Sequence, residues 1–204
     1  MIGTQTANRM PEREAVAARF EAAVVTGVRG DPRPAHERRV KQLCVAVAER
    51  MGLDAALRER VSIAAMLHDI GKASFPESVL LKPGPLSPEE WVLMRTHPQV
   101  AYEALTGMGV VEPIAAAVRQ HHERMNGSGY PLGLRGEAIL LEARILAVAD
   151  VVEAMCADRP YRLAPGLQRA LEEIGAGRGR LYDPAAVDAC LNLFRVDGFT
   201  FESP

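Results

Sequence analysis

The sequence predicts an all-α single domain, and three observations carry that prediction. Apolar residues recur at three- and four-residue spacing nearly throughout, no stretch alternates polarity for long enough to make a strand, and 204 residues suit one core better than two. Aromatic residues make up only 5% of the chain while Ala, Leu, Val and Glu are plentiful, a balance that favours helices.

The elements follow in order. Val16, Phe20, Ala23 and Val24 form a stripe on a first helix that ends near Gly27 and Gly30. Residues 1–30 are read as that helix alone and 31–204 as the main domain. After the break Asp31-Pro32-Arg33-Pro34, a second helix presents Val40, Leu43, Cys44 and Val47 on one face. Asp54 caps a third, which is almost wholly apolar from Ser62 to Leu67 and so is expected in the middle of the domain. Residues 71–86, with three prolines and two glycines, read as a loop. Ser87-Pro88-Glu89-Glu90 is a capping box with proline at the first helical position. Pro98 is expected to kink or end the helix that follows. Further helices are expected from about Pro113 to His122, Ile139 to Ala157, Pro165 to Ile174 and Pro184 to Phe194, with Asp183 capping the last. The total is about seven to eight.

Composition removes several classes of function. A formal net charge of −2 offers no electrostatic case for a nucleic-acid polymer or an anionic membrane as partner. The most apolar stretch, Ala138 to Cys156, is interrupted by Glu142, Arg144, Asp150 and Glu153 and cannot span a bilayer. The first ten residues hold no apolar segment of the kind a signal peptide needs. Cys44, Cys156 and Cys190 form no CxxC pair, and each falls on an apolar stripe, as small core residues do in a reducing compartment. A soluble cytoplasmic protein is expected.

The ionisable residues are more informative. His36 lies four residues before Val40 on the buried face of its helix. His68 follows Val61 by seven residues and Ala65 by three, with Asp69 beside it. His121 and His122 follow Val118 by three and four, and Asp150 follows Leu146 by four. His97, at Pro98, is the one that periodicity places least well. A lone inward histidine is usually a hydrogen-bonded core residue. All five histidines of this chain point inward together, and burying so many polar groups unpartnered would cost a few kcal/mol each. A shared metal centre satisfies them at once. Imidazole and carboxylate suit iron, manganese, zinc or nickel, and seven such ligands suit two divalent metals, with Asp69 as the bridge. A water shared by two metals ionises near neutral pH and can attack phosphorus in line.

The residues now match a known pattern. His68 to Lys72 reads HDIGK, residues 121–131 read HHERMNGSGYP, and Asp150 opens DVVEAMCADRPYR, ending at Arg162. From about His36 to the LYDP segment at 181–184, the ordered series H…HD…H…HH…GYP…D resembles the HD-GYP family, HD phosphohydrolases that cleave cyclic di-GMP in bacteria. The resemblance implies that His36, His68, Asp69, His97, His121, His122 and Asp150 are metal ligands, with iron or manganese foremost. It implies that Lys72 contacts the scissile phosphate and stabilises charge in the transition state. Gly127, Gly129, Tyr130 and Pro131 look like the signature loop, in which Tyr130 could offer a ring face to guanine. Arg159 and Arg162 resemble arginines that meet phosphate or guanine; alternatively, Arg159 pairs with Asp158 or Glu123.

Two departures bear on this. Some relatives carry a glutamate four residues before the first ligand histidine, associated with a third metal; this chain has Pro32 there, so a dinuclear centre is expected. Asn126 stands where aspartate is common and can still hydrogen-bond within the loop. Gly175-Ala176-Gly177-Arg178-Gly179-Arg180 imitates a phosphate-cradling loop but follows no strand, and is expected to be a helix-ending turn whose arginines could lie near a substrate entrance.

The expected activity is therefore hydrolysis of cyclic di-GMP to pGpG, and onward to GMP as an open question. A related enzyme acting on another cyclic dinucleotide or nucleotide is the alternative within the class. Outside it stands a non-catalytic module that binds a cyclic dinucleotide, or a signalling partner through the GYP loop. A homodimer formed through the first helix is a further possibility.

Overall fold

Helix α1 (Arg33–Arg50) buries Val40, Leu43, Cys44, Val47 and Ala48 completely, on the stripe that three- and four-residue spacing predicts. The computed structural model describes residues 33–157 and 164–201; the expected first helix, Pro32, Arg159 and Arg162 lie outside the described residues. Gly52, at a φ of 71°, turns the chain after α1. Asp54 then caps α2 (Ala55–Leu67), accepting the Leu57 N–H at 2.8 Å.

Helix α2 corrects one expectation. Its apolar run is not enclosed: Val61, Ala64 and Ala65 are buried, but Ile63 is 37% exposed. The enclosed element is α7 (Leu141–Cys156), which packs against α1, α2, α6 (Glu112–Gln120), α8 (Leu167–Ala176) and α9 (Pro184–Arg195). Every residue of α7 from Glu142 to Ala149 except Arg144 is buried. The two charged groups there are paired, Glu142 with Arg60 at 2.7 Å and Arg144 with Asp183 at 2.8 Å.

The segment 71–86 also departs from expectation, because it is not all loop. A 3₁₀ turn, Ile70–Ser74, leads into the short helix α3 (Glu77–Leu80). The capping box forms as read: the Ser87 hydroxyl accepts the Glu90 N–H at 3.3 Å, and the Glu90 carboxylate accepts the Ser87 N–H at 2.6 Å. It opens α4 (Pro88–Met94). Pro98 does not kink that helix; it sits in the first turn of α5 (His97–Gly107), where a missing N–H costs nothing. Asp183 caps α9 by accepting from Ala185 and Ala186 at 2.9 and 3.0 Å. Among the described residues there is no strand, only the isolated bridges Asn126–Arg135 and Arg178–Tyr182. Residues 175–180 do end α8 as a turn, and Arg178 is taken up by Asp188 on α9 at 2.6 Å. Cys44 and Cys190 are buried and Cys156 partly so, none of them bonded to another. No helix among the described residues is long and apolar enough to cross a membrane.

Candidate metal centre

Five elements deliver the polar residues to one place. His36 lies in the first turn of α1, and Asp150 lies within α7. His68 and Asp69 follow the end of α2, and His121 and His122 follow the end of α6. His97 opens α5 and is buried, so the histidine that periodicity placed least well sits fully inside. Gly71 makes that possible. A β-carbon there would lie 2.0 Å from the His97 carbonyl oxygen, so only glycine lets the 3₁₀ turn and α5 meet this closely.

The side chains form two triads, His36–His68–Asp150 and His97–His121–His122, each with its ligating atoms within 4.8 Å of one another. Within the first, His36 Nε2 is 3.3 Å from His68 Nε2 and 3.4 Å from Asp150 Oδ1. Within the second, His97 Nε2 is 3.3 Å from His121 Nε2. Asp69 stands between them: its Oδ1 is 3.8 Å from His68 Nε2 and 3.5 Å from His97 Nε2. Its Oδ2 accepts from Lys72 Nζ at 2.5 Å.

The hydrogen bonds behind the rings decide what faces inward. His68, His97 and His121 each donate Nδ1–H to the carbonyl three residues earlier, on Ala65, Met94 and Val118, at 2.8, 2.7 and 2.6 Å. A carbonyl only accepts, so the proton sits on Nδ1 and the Nε2 lone pair points into the cluster. In His97 and His121 two such lone pairs face each other, an arrangement that repels unless a cation stands between them. The donor set therefore fits divalent metal. Burial lowers the pKa of His97 to about 4 and that of His122 to about 3, and holds His121 well below the usual value. All three are the neutral ligand form at pH 7. Burial works against the charge on Asp69, yet Lys72, His68 and His97 outweigh it and keep the carboxyl well below the usual range. Burial works against the charge on Asp150 too, yet its bond to His36 helps hold the carboxyl well below the usual range. For His36, burial is outweighed by Asp150 and Glu153, which push its pKa up to about 10.

The signature loop closes over the second triad. Tyr130 lies over His122 with ring centroids 4.8 Å apart and planes at 33°, and the Arg95 guanidinium lies 5.6 Å from the Tyr130 ring. Gly129 passes so near the chain that a β-carbon would fall 2.4 Å from the Glu123 Cα. Asn126 does bond within the loop, accepting from Ser128 N at 3.1 Å and Ser128 Oγ at 2.7 Å.

Two buried carboxylates escaped the sequence. Glu123 accepts the backbone N–H groups of Leu132, Gly133 and Leu134 at 2.6, 3.1 and 3.0 Å, pinning the chain just after Pro131. Those bonds occupy both of its oxygens. Glu153 accepts from His36 Nδ1 and pairs with Arg39 at 3.3 Å. The available signal was spacing, since Glu153 follows Asp150 by three residues and Arg39 follows His36 by three.

Comparison with known proteins bears on this geometry. A model of the HD domain matches residues 28–186. Over 155 residues the chain is 48% identical to a cyclic di-GMP phosphodiesterase response regulator, RpfG, of Xanthomonas campestris pv. campestris, covering 75% of this chain and 41% of that protein. A cyclic di-GMP phosphodiesterase of Thermotoga maritima is 40% identical, with 78% and 44% covered. A 3'3'-cGAMP-specific phosphodiesterase of Vibrio cholerae is 38% identical, with 77% and 30% covered. The chain thus spans less than half the length of these relatives. An HDG"Y"P protein from Bdellovibrio bacteriovorus shares the fold at a TM-score of 0.66 and 18% identity, over 90% of this chain and 62% of that one. The chain belongs to the HD domain family, and the resemblance to its HD-GYP branch holds.

Proposed function

We propose that this chain is a metal-dependent phosphodiesterase that hydrolyses cyclic di-GMP to pGpG at a centre of two divalent metals. One observation carries the reading: two triads of ligating atoms with a single oxygen of Asp69 facing a histidine of each. In this reading His36, His68 and Asp150 would hold one cation, His97, His121 and His122 would hold the other, and Asp69 would be shared between them. Such cations, iron or manganese first and zinc or nickel next, would supply a nucleophilic water at neutral pH and Lewis acidity toward the phosphate.

The chain's own groups do the rest. Lys72 pairs with Asp69 Oδ2, the oxygen that faces neither triad. It is partly exposed, and its ammonium stabilises negative charge growing on the phosphate oxygens. The buried walls around His68, His97 and His121 exclude bulk water, which strengthens each of these interactions. Gly127, Gly129, Tyr130 and Pro131 shape the rim. A guanine stacking on Tyr130 shares that ring with His122 and Arg95. Arg159 and Arg162 complete the phosphate and base contacts in this reading.

The names of the relatives support the substrate class and divide within it, since some act on cyclic di-GMP and others on 3'3'-cGAMP. The test is to purify the protein anaerobically, count its metals, and follow cyclic di-GMP, 3'3'-cGAMP and pGpG by chromatography with added iron or manganese. We expect two metals per chain and turnover that Asp69→Ala abolishes. Tight binding of cyclic di-GMP without turnover under every metal would sink the reading in favour of a binding module.

A further inference from the structure

We propose that Glu153 is a positioning residue for His36, and that Arg39, held against Phe201, fixes Glu153 in turn. The proposal rests on the two-metal reading above. The Nδ1 protons around the centre are held in two different ways. Those of His68, His97 and His121 go to carbonyls three residues earlier, which the backbone itself supplies and no side-chain substitution removes. That of His36 goes to a side chain from another helix, Glu153 on α7, which is only 1% exposed.

One turn of α7 therefore grips both nitrogens of His36. Asp150 Oδ1 stands 3.4 Å from Nε2, and Glu153, three residues on, takes Nδ1. The grip is itself braced. Glu153 Oε1 lies 3.3 Å from Arg39 Nε, an ion pair in which neither atom makes a hydrogen bond, and the Arg39 guanidinium lies 4.5 Å from the ring of Phe201. Phe201 packs with Phe194 and Phe199, at centroid separations of 5.9 and 5.6 Å. A carboxylate behind an imidazole fixes its tautomer and ring plane and raises the basicity of the far nitrogen. The half centre of His36, His68 and Asp150 thus depends on a substitutable residue at His36, whereas His97 and His121 in the other half are backed by main-chain carbonyls.

The experiment is a manganese(II) titration of the metal-free full chain, read by the electron paramagnetic resonance signal of the free ion, so that no activity is needed. Wild type should take up two equivalents. Glu153→Gln should keep one at wild-type affinity and bind the other about 10–100-fold more weakly, the usual cost of losing such a partner. Glu153→Asp should restore part of the loss. In a His36→Ala background, Glu153→Gln should add nothing, because its effect runs through that ring. Two unaltered equivalents in Glu153→Gln, equal weakening of both, or full additivity with His36→Ala would each overturn the proposal while leaving the function above intact. A wild type that takes up no manganese overturns the proposal, and one that also holds no metal after anaerobic purification overturns the function as well. If Glu153→Gln does not fold, Arg39→Gln, at a partly exposed position, carries the same titration: selective weakening of one equivalent supports the brace and none overturns it.

Discussion

Gly71 abuts the His97 carbonyl with no room for a side chain, its missing β-carbon falling 2.0 Å from that oxygen. The contact sets where α5 begins, and with it the distance from Asp69 to His97. Gly71→Ala must push the two segments apart, and overpacking of this kind costs about 1–3 kcal/mol. We expect that loss in urea denaturation, together with weakened metal uptake at the His97 half. An alanine variant as stable as wild type, with both metals in place, would contradict the role given to this glycine.

Lys72 makes a separable prediction. Its ammonium binds Asp69 Oδ2, the oxygen turned away from both triads. Lys72→Met should therefore retain both metals while turnover of cyclic di-GMP falls by about 10²–10³, the usual effect of removing one donor to a developing oxyanion. Metal counting beside steady-state kinetics checks it, and a loss of metal in proportion to activity would assign Lys72 to the centre's assembly instead.

Glu123 holds three consecutive backbone donors after Pro131. Glu123→Ala leaves them without their acceptor, at about 1–3 kcal/mol for each group that stays dry. Hydrogen exchange should speed up at residues 132–134 first, and KM should rise more than kcat falls if Tyr130 on the same loop meets the substrate as proposed. Unchanged exchange there would show that another group can hold the loop.

Acid and alkali should destabilise the metal-free protein for different reasons. Burial pushes His97 down to about 4 and His122 to about 3, while Asp150 and Glu153, against burial, push His36 up to about 10. In the unfolded chain all three return to about 6.5. Below that pH the unfolded chain takes up protons at His97 and His122 that the folded chain refuses, so stability falls as pH drops from about 6.5 toward 4. The His36 contribution is complete below about 6.5 and is lost as pH rises toward 10. Denaturation of chelator-treated protein should therefore show a maximum near pH 6.5, and a steady rise into alkali would contradict the His36 assignment.

Most helix positions and caps were legible in the amino-acid sequence because they depend on neighbours three or four residues away, although α3 was read as loop and α5 was not set apart from the helix before it. The Asp54 and Asp183 caps, the Ser87–Glu90 box and the turn at 175–180 all formed as read. So did the inward setting of His36, His68, His121, His122 and Asp150, which periodicity alone indicates. The centre of the fold was less legible. Apolar composition put α2 there, but enclosure depends on how many other helices surround an element, and that number belongs to α7. His97 shows the same limit: it shares a buried stripe with Ala101 and Leu105, but only on a helix that begins at His97, against which Gly71 packs closely. Spacing alone also left Glu153 looking like an ordinary helical carboxylate, and Glu123 was read only as a possible partner of Arg159. The role of Glu123 arises from the fold of the loop that follows it, and that of Glu153 from a helix distant in the chain. A sequence thus determines which residues share a face, through the local geometry of the backbone. Which faces meet, and so which ring a buried carboxylate holds, was decided only by the packing of the helices against one another.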